Sequence, residues 1–197
     1  GAGFSGLNAA AAACDVAPHL SIAVVESTDR IGGHWNYAYP FVTLHNKYYG
    51  IGRYGLVKGV GSRDDILAHA HTVYDDLISR TDLNISFLFN TKYVSHSVNT
   101  TDKVVAVTTS IGVVKTRRLI DTTRYNLPAC HHTPTLGILP RDLPNQPKAS
   151  SYVIIVSGKT AMDTLRYLRR PATVIGGTPI AFLNRESSTA AILGRAV

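Results

Sequence analysis

The first six residues of the chain, GAGFSG, place glycines at positions 1, 3 and 6. This spacing is typical of a turn that binds a pyrophosphate group at the start of a helix. Gly1 permits the tight turn, Gly3 lets the backbone approach the phosphates, and Gly6 lets the helix pack closely against a sheet. The N–H groups at the helix start, around Phe4 and Ser5, then face the anion and are assisted by the helix dipole.

The residues that follow this turn supply the context that such a site needs. The alanine-rich segment 7–17 ends before Pro18 and predicts a helix, and the apolar, β-branched segment 20–27 predicts a buried parallel strand. Glu26, twenty positions after Gly6, and Ser27 lie at the end of that strand. A carboxylate there can accept hydrogen bonds from both ribose hydroxyls of an adenosine. The segment therefore predicts a dinucleotide site, with a glycine-rich turn before an ordinary helix as the alternative.

A loop rich in glycine and aromatic residues follows the predicted strand. Gly32 and Gly33 let the backbone lie flat against a ligand, and Trp35 comes just behind them as a stacking surface. Flat apolar walls with a few convergent donors suit an isoalloxazine ring beside a dinucleotide. The alternative is a surface loop that contains several tyrosines. The polar side chains of this loop are Asn36, Tyr37, Tyr39, His45, Asn46, Tyr48 and Tyr49.

The same stretch carries a resemblance to a known family. Glu26 followed by Arg30-Ile-Gly-Gly-His-Trp resembles the ExxxxxGGxW segment of flavin-containing monooxygenases and related FAD/NAD(P)-dependent oxidoreductases. The longer run GGHWNYAYPFVTLHNKYYGI resembles a bacterial and fungal branch of that group. The resemblance implies FAD bound by a first Rossmann unit, with Gly33, His34 and Trp35 near the flavin. It also implies NADPH bound by a second unit later in the chain.

The activity that the resemblance implies is the reduction of FAD by NADPH, followed by oxygenation of a soft nucleophile or a carbonyl in a small-molecule substrate. No acid or base is needed for hydride transfer, so no catalytic residue is assigned. The FxGxxxHxxxW signature of monooxygenases proper is absent. Flavin-dependent oxidoreduction is therefore the firmer expectation, and monooxygenation the less secure one.

The remaining segments predict an α/β fold: a Rossmann-like FAD-binding domain, residues 1–148, with a parallel sheet and an antiparallel β-meander at about 90–120. Residues 61–79 have helical periodicity, with Ser62 as N-cap, and residues 84–89 predict the next sheet strand. Three alternating segments then predict the meander, and residues 117–126 predict a strand that returns to the sheet. By resemblance, Asp121 lies in a turn near the cofactor.

Residues 149–197 predict a partial second Rossmann-like unit for NAD(P). Residues 152–156 read as a strand and Thr160 opens a helix, where the family carries a GxGKTAMD-like turn. Gly158, Lys159 and Thr160 match that turn and imply contacts to the NADPH pyrophosphate, but Val156 replaces its first glycine. A β-branched residue there restricts the backbone, so a strand–helix unit without ligand is the alternative. Arg185 is the candidate contact for the 2′-phosphate.

Composition excludes several other classes of protein. The chain has 197 residues, is 45% hydrophobic and carries a net charge of +7, which favours anionic partners. The basic residues are scattered, so a cofactor with two phosphates explains the charge as well as nucleic acid does, and no nucleic-acid partner is expected. No apolar run approaches the ~20 residues of a membrane span, so no membrane partner is expected. The oligomeric state is open.

The cysteines and histidines predict neither a disulfide framework nor a metal site. Cys14 and Cys130 form no CxxC pair, which favours a reducing compartment and a cytoplasmic location. Adjacent His131 and His132 point in different directions in an extended chain and lack further ligands, so no metal site is expected.

The resemblance also implies that the sequence is a piece of a larger flavoprotein. A fingerprint turn normally follows a strand, whereas this sequence opens at Gly1 and stops before the second nucleotide unit closes. The expectation is that this chain alone is not a competent oxidoreductase. The strongest rival interpretation is a non-catalytic, truncated remnant with weak or no FAD binding. A simple NAD(P)-dependent dehydrogenase is a further alternative, which the visible absorbance of bound flavin would exclude.

Overall fold

The computed structural model has a mixed α/β fold that divides into two compact units, Gly1–Thr135 and Leu136–Val197. No helix in the described part of the chain is long and apolar enough to cross a membrane. The structure describes residues 1–44, 49–57, 59–123, 138–155 and 158–176.

The first unit contains a parallel two-stranded sheet and two long helices. Helix α1 (Phe4–Val16) leads into strand β1 (Ser21–Val25), and helix α2 (Arg63–Ser79) leads into strand β2 (Asn84–Leu88). The strands pair in register from Ser21 opposite Asn84 to Val25 opposite Leu88. Helix α1 begins at Phe4 rather than at residue 7 as predicted, because its first turn is formed by the glycine motif itself.

Helix α2 begins where the sequence predicts. The Ser62 side chain accepts a hydrogen bond from the Asp65 N–H at 3.2 Å, and the Asp65 carboxylate accepts one from the Ser62 N–H at 2.9 Å. This capping box satisfies two N–H groups that the helix geometry leaves unpaired. The prediction of Ser62 as N-cap is confirmed.

The hydrophobic core lies between the helices and one face of the sheet. Helix α1 contributes Leu7 and a series of small side chains, and helix α2 contributes Val73 and Leu77. Val24 and Ile31 fill the space between them. Small residues on α1 let the helix approach its neighbours closely, which brings the start of α1 against the loop after β1.

A three-stranded antiparallel meander follows the parallel sheet. Strands β3 (Tyr93–Asn99), β4 (Val104–Thr109) and β5 (Gly112–Thr116) are hydrogen-bonded in the order β3-β4-β5, as predicted. The return strand predicted at 117–126 does not form in its described part, residues 117–123. No strand in the described part of the chain pairs with it, and an extended segment becomes a strand only through such pairing.

The second unit repeats the strand–helix–strand order on a smaller scale. Strand β6 (Tyr152–Ile155) is followed by helix α3 (Lys159–Leu168) and by strand β7 (Ala172–Ile175), which pairs in parallel with β6. Three short 3₁₀ helices complete the described elements: Gly33–Tyr37 and Gly52–Tyr54 in the first unit, and Leu143–Asn145 in the second.

Candidate functional site

The glycine motif forms the turn that enters α1. A β-carbon on Gly6 would lie 1.7 Å from the Gly1 carbonyl oxygen and 3.3 Å from the Thr122 hydroxyl oxygen. Two atoms that are not bonded to each other cannot lie so close, so only glycine fits at position 6. The first helical hydrogen bond runs from the Leu7 N–H to the Gly3 carbonyl at 2.9 Å. The N–H groups of the residues before Leu7 therefore have no partner within the helix.

The second glycine pair packs directly against this turn. The Gly32 N–H donates to the Ala2 carbonyl at 2.9 Å, and a β-carbon on Gly33 would lie 2.8 Å from the Gly3 α-carbon. Gly32 and Gly33 also have φ values of +101° and +55°, which L side chains rarely adopt. The structure thus brings together, backbone against backbone, two motifs that are separated in the sequence by α1 and β1.

Glu26 joins the end of β1 to the glycine turn. Its side chain is buried, and one carboxylate oxygen, Oε2, accepts a hydrogen bond from the Ala2 N–H at 2.6 Å. The other oxygen, Oε1, accepts hydrogen bonds from the Thr28 N–H and hydroxyl, both at 2.9 Å, and from the Ser27 hydroxyl at 3.2 Å. Burial raises the pKa of Glu26, but these hydrogen bonds outweigh burial and hold the pKa below its ordinary value.

Sequence reasoning missed Ala2 and Thr28 as partners of this carboxylate. Three of the four donors to Glu26 come from Ser27 and Thr28, the two residues that follow it. Hydroxyl residues directly after an acid at a strand end are a local signal for such a turn. The Ala2 contact has no comparable signal, because it depends on the packing of two distant segments.

The aromatic loop is anchored in the core by Trp35. The Trp35 indole Nε1 donates to the Tyr49 hydroxyl at 2.7 Å, and the two ring centroids are 5.7 Å apart in an edge contact. The Tyr49 ring also contacts Phe4, the first residue of α1, at 4.1 Å between centroids. Burial raises the pKa of Tyr49 to about 12. Trp35 is buried, so it lies behind the loop rather than on its surface, and His34 packs beside it.

The turn at Asp121 also reaches the glycine motif. The Gly1 nitrogen lies 3.4 Å from the Thr122 hydroxyl oxygen, so the turn is adjacent to the start of the chain. The Asp121 carboxylate accepts hydrogen bonds from the Thr123 hydroxyl at 2.6 Å and from its N–H at 2.8 Å. These bonds lower the pKa of Asp121 below its ordinary value. The carboxylate is exposed and ionised beside the motif.

In the second unit, the predicted phosphate-binding turn enters α3. Gly158 precedes the helix with a φ of +94°, a conformation that favours glycine. The Lys159 ammonium forms an ion pair with the Asp163 carboxylate one turn later. The Thr160 carbonyl accepts a hydrogen bond from the Thr164 hydroxyl at 2.7 Å. Val156 and Arg185 lie outside the described residues.

Two other candidate sites can be assessed within the described part of the chain. It contains no group of three or more His, Cys, Asp or Glu side chains arranged to hold a metal ion; His131 and His132 lie outside it. A simple NAD(P)-dependent dehydrogenase would need a catalytic Tyr-x-x-x-Lys pair, and the sequence prediction overlooked that Tyr54 and Lys58 have this spacing; Lys58 lies outside the described residues. The Tyr54 hydroxyl donates to Asp76 at 2.7 Å, and burial raises the pKa of Tyr54.

Solved structures of other proteins share this fold. No protein-family model and no curated protein matches the sequence. Cyclohexanone monooxygenase from Rhodococcus sp. Phi1, solved with NADP+, is 20% identical with a TM-score of 0.63, over 93% of this chain and 38% of that one. OTEMO, solved with FAD and NADP, is 18% identical with a TM-score of 0.64, over 91% and 38%. A variant of the flavin monooxygenase from Stenotrophomonas maltophilia is 17% identical with a TM-score of 0.69, over 95% and 58%.

At these identities the comparisons show a shared fold. The resemblance to flavin-containing monooxygenases predicted from the sequence is therefore confirmed for the fold, over nearly the whole chain. The chain spans 38% to 58% of the length of these three structures.

Proposed function

We propose that this chain is the FAD-binding part, and some of the NADPH-binding part, of an FAD-dependent oxidoreductase of the monooxygenase type. The observation that carries the proposal is the convergence of Gly3, Glu26 and Gly33 at the start of α1. Two neighbours of the same fold were solved with NADP, one of them also with FAD. In finer detail, we propose that α1, β1, α2 and β2 form part of a Rossmann unit.

The pyrophosphate of FAD would lie at the N-terminus of α1. The N–H groups of Phe4, Ser5 and Gly6 point out of the first turn and provide donors together with the helix dipole. Gly3 and Gly33 carry no side chains where the two loops meet, so an anion can approach the backbone closely. A β-carbon at Gly33 would collide with Gly3, so the two loops pack closely at this point.

Glu26 would hold the adenosine ribose. Oε1 already accepts three hydrogen bonds, whereas Oε2 accepts one, from Ala2. A carboxylate oxygen has two lone pairs, so Oε2 can accept one ribose hydroxyl. The second hydroxyl would find no free lone pair on Oε1, because the Thr28 N–H and hydroxyl already occupy both. We therefore propose one direct ribose contact from Glu26, rather than the two expected from the sequence.

NADPH would bind at the start of α3. Gly158 and Thr160 would place backbone N–H groups at the pyrophosphate, and Lys159 would add positive charge. The ion pair with Asp163 keeps the Lys159 ammonium at the first turn of the helix. We propose Arg185 as the contact to the 2′-phosphate, with NADPH preferred over NADH.

Bound FAD would supply the redox chemistry, transferring reducing equivalents from NADPH to oxygen. The residues of this chain bind and orient the cofactor and exclude water. Trp35, Tyr49 and Phe4 form an aromatic wall behind the Gly32-Gly33 backbone, and no acid or base is assigned to the reaction. We further propose a small-molecule substrate, no nucleic-acid or membrane partner, and a cytoplasmic location, on the composition given above.

A remnant that binds little or no FAD is the second candidate, and Val156 in the second turn favours it. The direct test is titration of the purified chain with FAD, followed by absorbance near 450 nm and by Trp35 emission. Trp35 is the only tryptophan, and it contacts the proposed flavin loop, so binding should quench its emission. Saturable quenching with retained yellow colour supports FAD binding. A colourless protein whose emission does not respond to FAD refutes it.

A further inference from the structure

Residues 49–57 form a short antiparallel hairpin beside α1. At the base of the hairpin, the Tyr49 ring contacts Phe4, the first residue of α1. At its tip, the Arg53 guanidinium forms an ion pair with the Asp15 carboxylate at 3.2 Å, next to the last residue of α1. Phe4 and Asp15 are about 17 Å apart along the axis of an α-helix. The hairpin therefore contacts α1 near both of its ends.

The tip of the hairpin is also joined to the last turn of α2. The Arg53 Nη2 group donates to the Asp76 carboxylate at 2.8 Å, and the Tyr54 hydroxyl donates to the same carboxylate oxygen at 2.7 Å. These hydrogen bonds from Tyr54 and Arg53 hold the pKa of Asp76 below its ordinary value, so the carboxylate is ionised at neutral pH. An isolated exposed ion pair contributes little, but this guanidinium joins carboxylates on two helices at once.

The backbone at the tip offers little restraint of its own. Gly52 and Gly55 stand on either side of Arg53 and Tyr54, with φ values of +46° and +75°. Glycine has more backbone freedom than other residues, and a β-carbon at either glycine would meet nothing within 4 Å. Ile51 is buried and anchors the start of the tip. Beyond Ile51, the side-chain contacts of Arg53 and Tyr54 are what restrains it.

The base of the hairpin carries the residue on which the aromatic loop depends. The Tyr49 hydroxyl accepts the Trp35 indole N–H at 2.7 Å, and the Tyr49 ring packs on Phe4. We infer that Arg53 is a positioning residue: by tying the tip of the hairpin to α1 and α2, it holds Tyr49 against Trp35 and Phe4. A loosened aromatic wall should also weaken FAD binding, and this consequence rests on the proposed function.

The first measurement uses the full chain without FAD and follows the quenching of Trp35 emission by acrylamide. Trp35 is the only tryptophan, and acrylamide is neutral, so salt does not act on the quencher through charge. The Arg53 side chain is 44% exposed, so salt screens its ion pairs. We expect quenching of the unchanged chain to rise with NaCl. The Arg53→Met chain should be quenched about twofold more at low salt, with no further rise, because its hairpin is already loosened.

Two α2 variants separate the link to the hairpin from a general loss of charge. Asp76 binds Arg53 and Tyr54, whereas Asp75 is the adjacent, exposed carboxylate. Asp76→Ala should raise Trp35 quenching as Arg53→Met does, and Asp75→Ala should not. Arg53→Lys keeps the charge but offers one nitrogen in place of the fork, so it should restore part of the protection.

The inference about Arg53 is overturned if quenching of the unchanged chain does not depend on salt, or if its salt dependence is the same in Arg53→Met. Equal quenching in Asp76→Ala and Asp75→Ala also overturns it. If Arg53→Met does not fold, the salt titration of the unchanged chain and the two aspartate variants still decide.

Titration of the same chains with FAD separates this inference from the proposed function. Arg53→Met should bind FAD about threefold more weakly than the unchanged chain, and Asp75→Ala should bind it equally well. Equal FAD affinity in Arg53→Met and the unchanged chain would overturn the consequence for the cofactor. An unchanged chain that binds no FAD would refute the proposed function, and the acrylamide measurement would still decide whether Arg53 positions Tyr49.

Discussion

Gly3 and Gly33 lie so close that a β-carbon on Gly33 would come within 2.8 Å of the Gly3 α-carbon. This contact joins the turn that begins α1 to the loop that follows β1. A β-carbon on Gly3 would lie 3.5 Å from the Gly33 α-carbon, which is an ordinary contact. The requirement for glycine therefore falls on position 33, where it can be tested with a control at another glycine.

Gly33→Ala should destabilise the chain more than Gly52→Ala. Both glycines have positive φ, +55° and +46°, so the backbone strain of an alanine should cost about 1 kcal/mol at either position. A β-carbon at Gly52 meets nothing within 4 Å, whereas the one at Gly33 collides with Gly3. At position 33 we expect the free energy of unfolding, measured with urea, to fall by a further 1–3 kcal/mol or about that. FAD should also quench the emission of Trp35 less in this variant. Equal losses for the two variants would contradict the close contact.

Gly6→Ala should open the turn at the start of α1. The new methyl group would overlap the Gly1 carbonyl oxygen, so Gly1 and Thr122 must move apart from the helix. Alanine is a better helix former than glycine, so propensity alone predicts a gain in stability. We expect a net loss of unfolding free energy and of FAD affinity. The matched control is Ser5→Ala, an exposed neighbour, and a stabilised Gly6→Ala chain that binds FAD normally would refute the packing argument.

Glu26→Gln should change the response of stability to acid. The folded-state pKa of Glu26 lies below its unfolded value of about 4.3, so the carboxylate stabilises the fold above pH 4.3, and this contribution is lost as the pH falls through the folded pKa. The side-chain amide of glutamine would also point N–H groups at the groups that donate hydrogen bonds to Glu26, the Ala2 and Thr28 N–H among them. We expect Glu26→Gln to lower the free energy of unfolding by about 1–3 kcal/mol at pH 7. The difference between the variant and the wild type should narrow below pH 4.

The measurement is urea unfolding from pH 7 to pH 3, with Asp75→Asn, an exposed α2 substitution, as the control. A gap between wild type and Glu26→Gln that stays constant over this range would show that the ionised form of Glu26 is not the stabilising one.

Tyr49→Phe should leave the buried Trp35 N–H without its acceptor. An unsatisfied buried donor costs about 1–3 kcal/mol, so the variant should unfold at lower urea. Tyr37→Phe is the matched control, because Tyr37 lies in the same loop with 58% of its surface exposed. Trp35 emission reports the change directly. The hydrogen bond would be contradicted if the two variants had the same emission spectrum and the same midpoint of urea unfolding.

Arg185→Ala should reduce the preference for NADPH over NADH if the second unit binds a nicotinamide cofactor as proposed. Loss of a 2′-phosphate contact should weaken NADPH binding about tenfold, which corresponds to about 1.4 kcal/mol, and leave NADH binding unchanged. Arg170→Ala controls for the loss of a positive charge elsewhere in the unit. Titration of both cofactors at low salt gives the two affinities. Parallel weakening of NADPH and NADH would argue against a contact to the 2′-phosphate.

Local patterns were sufficient to predict most of the elements. Alanine content predicted α1, Ser62 marked the start of α2, and alternation predicted the three strands of the meander. Each of these signals acts between residues that are neighbours in the chain or along one element. The return strand at 117–126 could not be predicted in the same way, because a strand exists only when a second backbone lies beside it.

The sequence alone determined the order of helices and strands and the resemblance to flavin-containing monooxygenases, because propensity, periodicity and motif spacing are properties of adjacent residues. The tertiary structure decided how Glu26 is used, with the distant Ala2 N–H on one oxygen and its own neighbours on the other. It also decided that Trp35 is buried. These features depend on which surfaces meet after the chain has folded, and no local pattern records a contact between segments that are brought together only by packing.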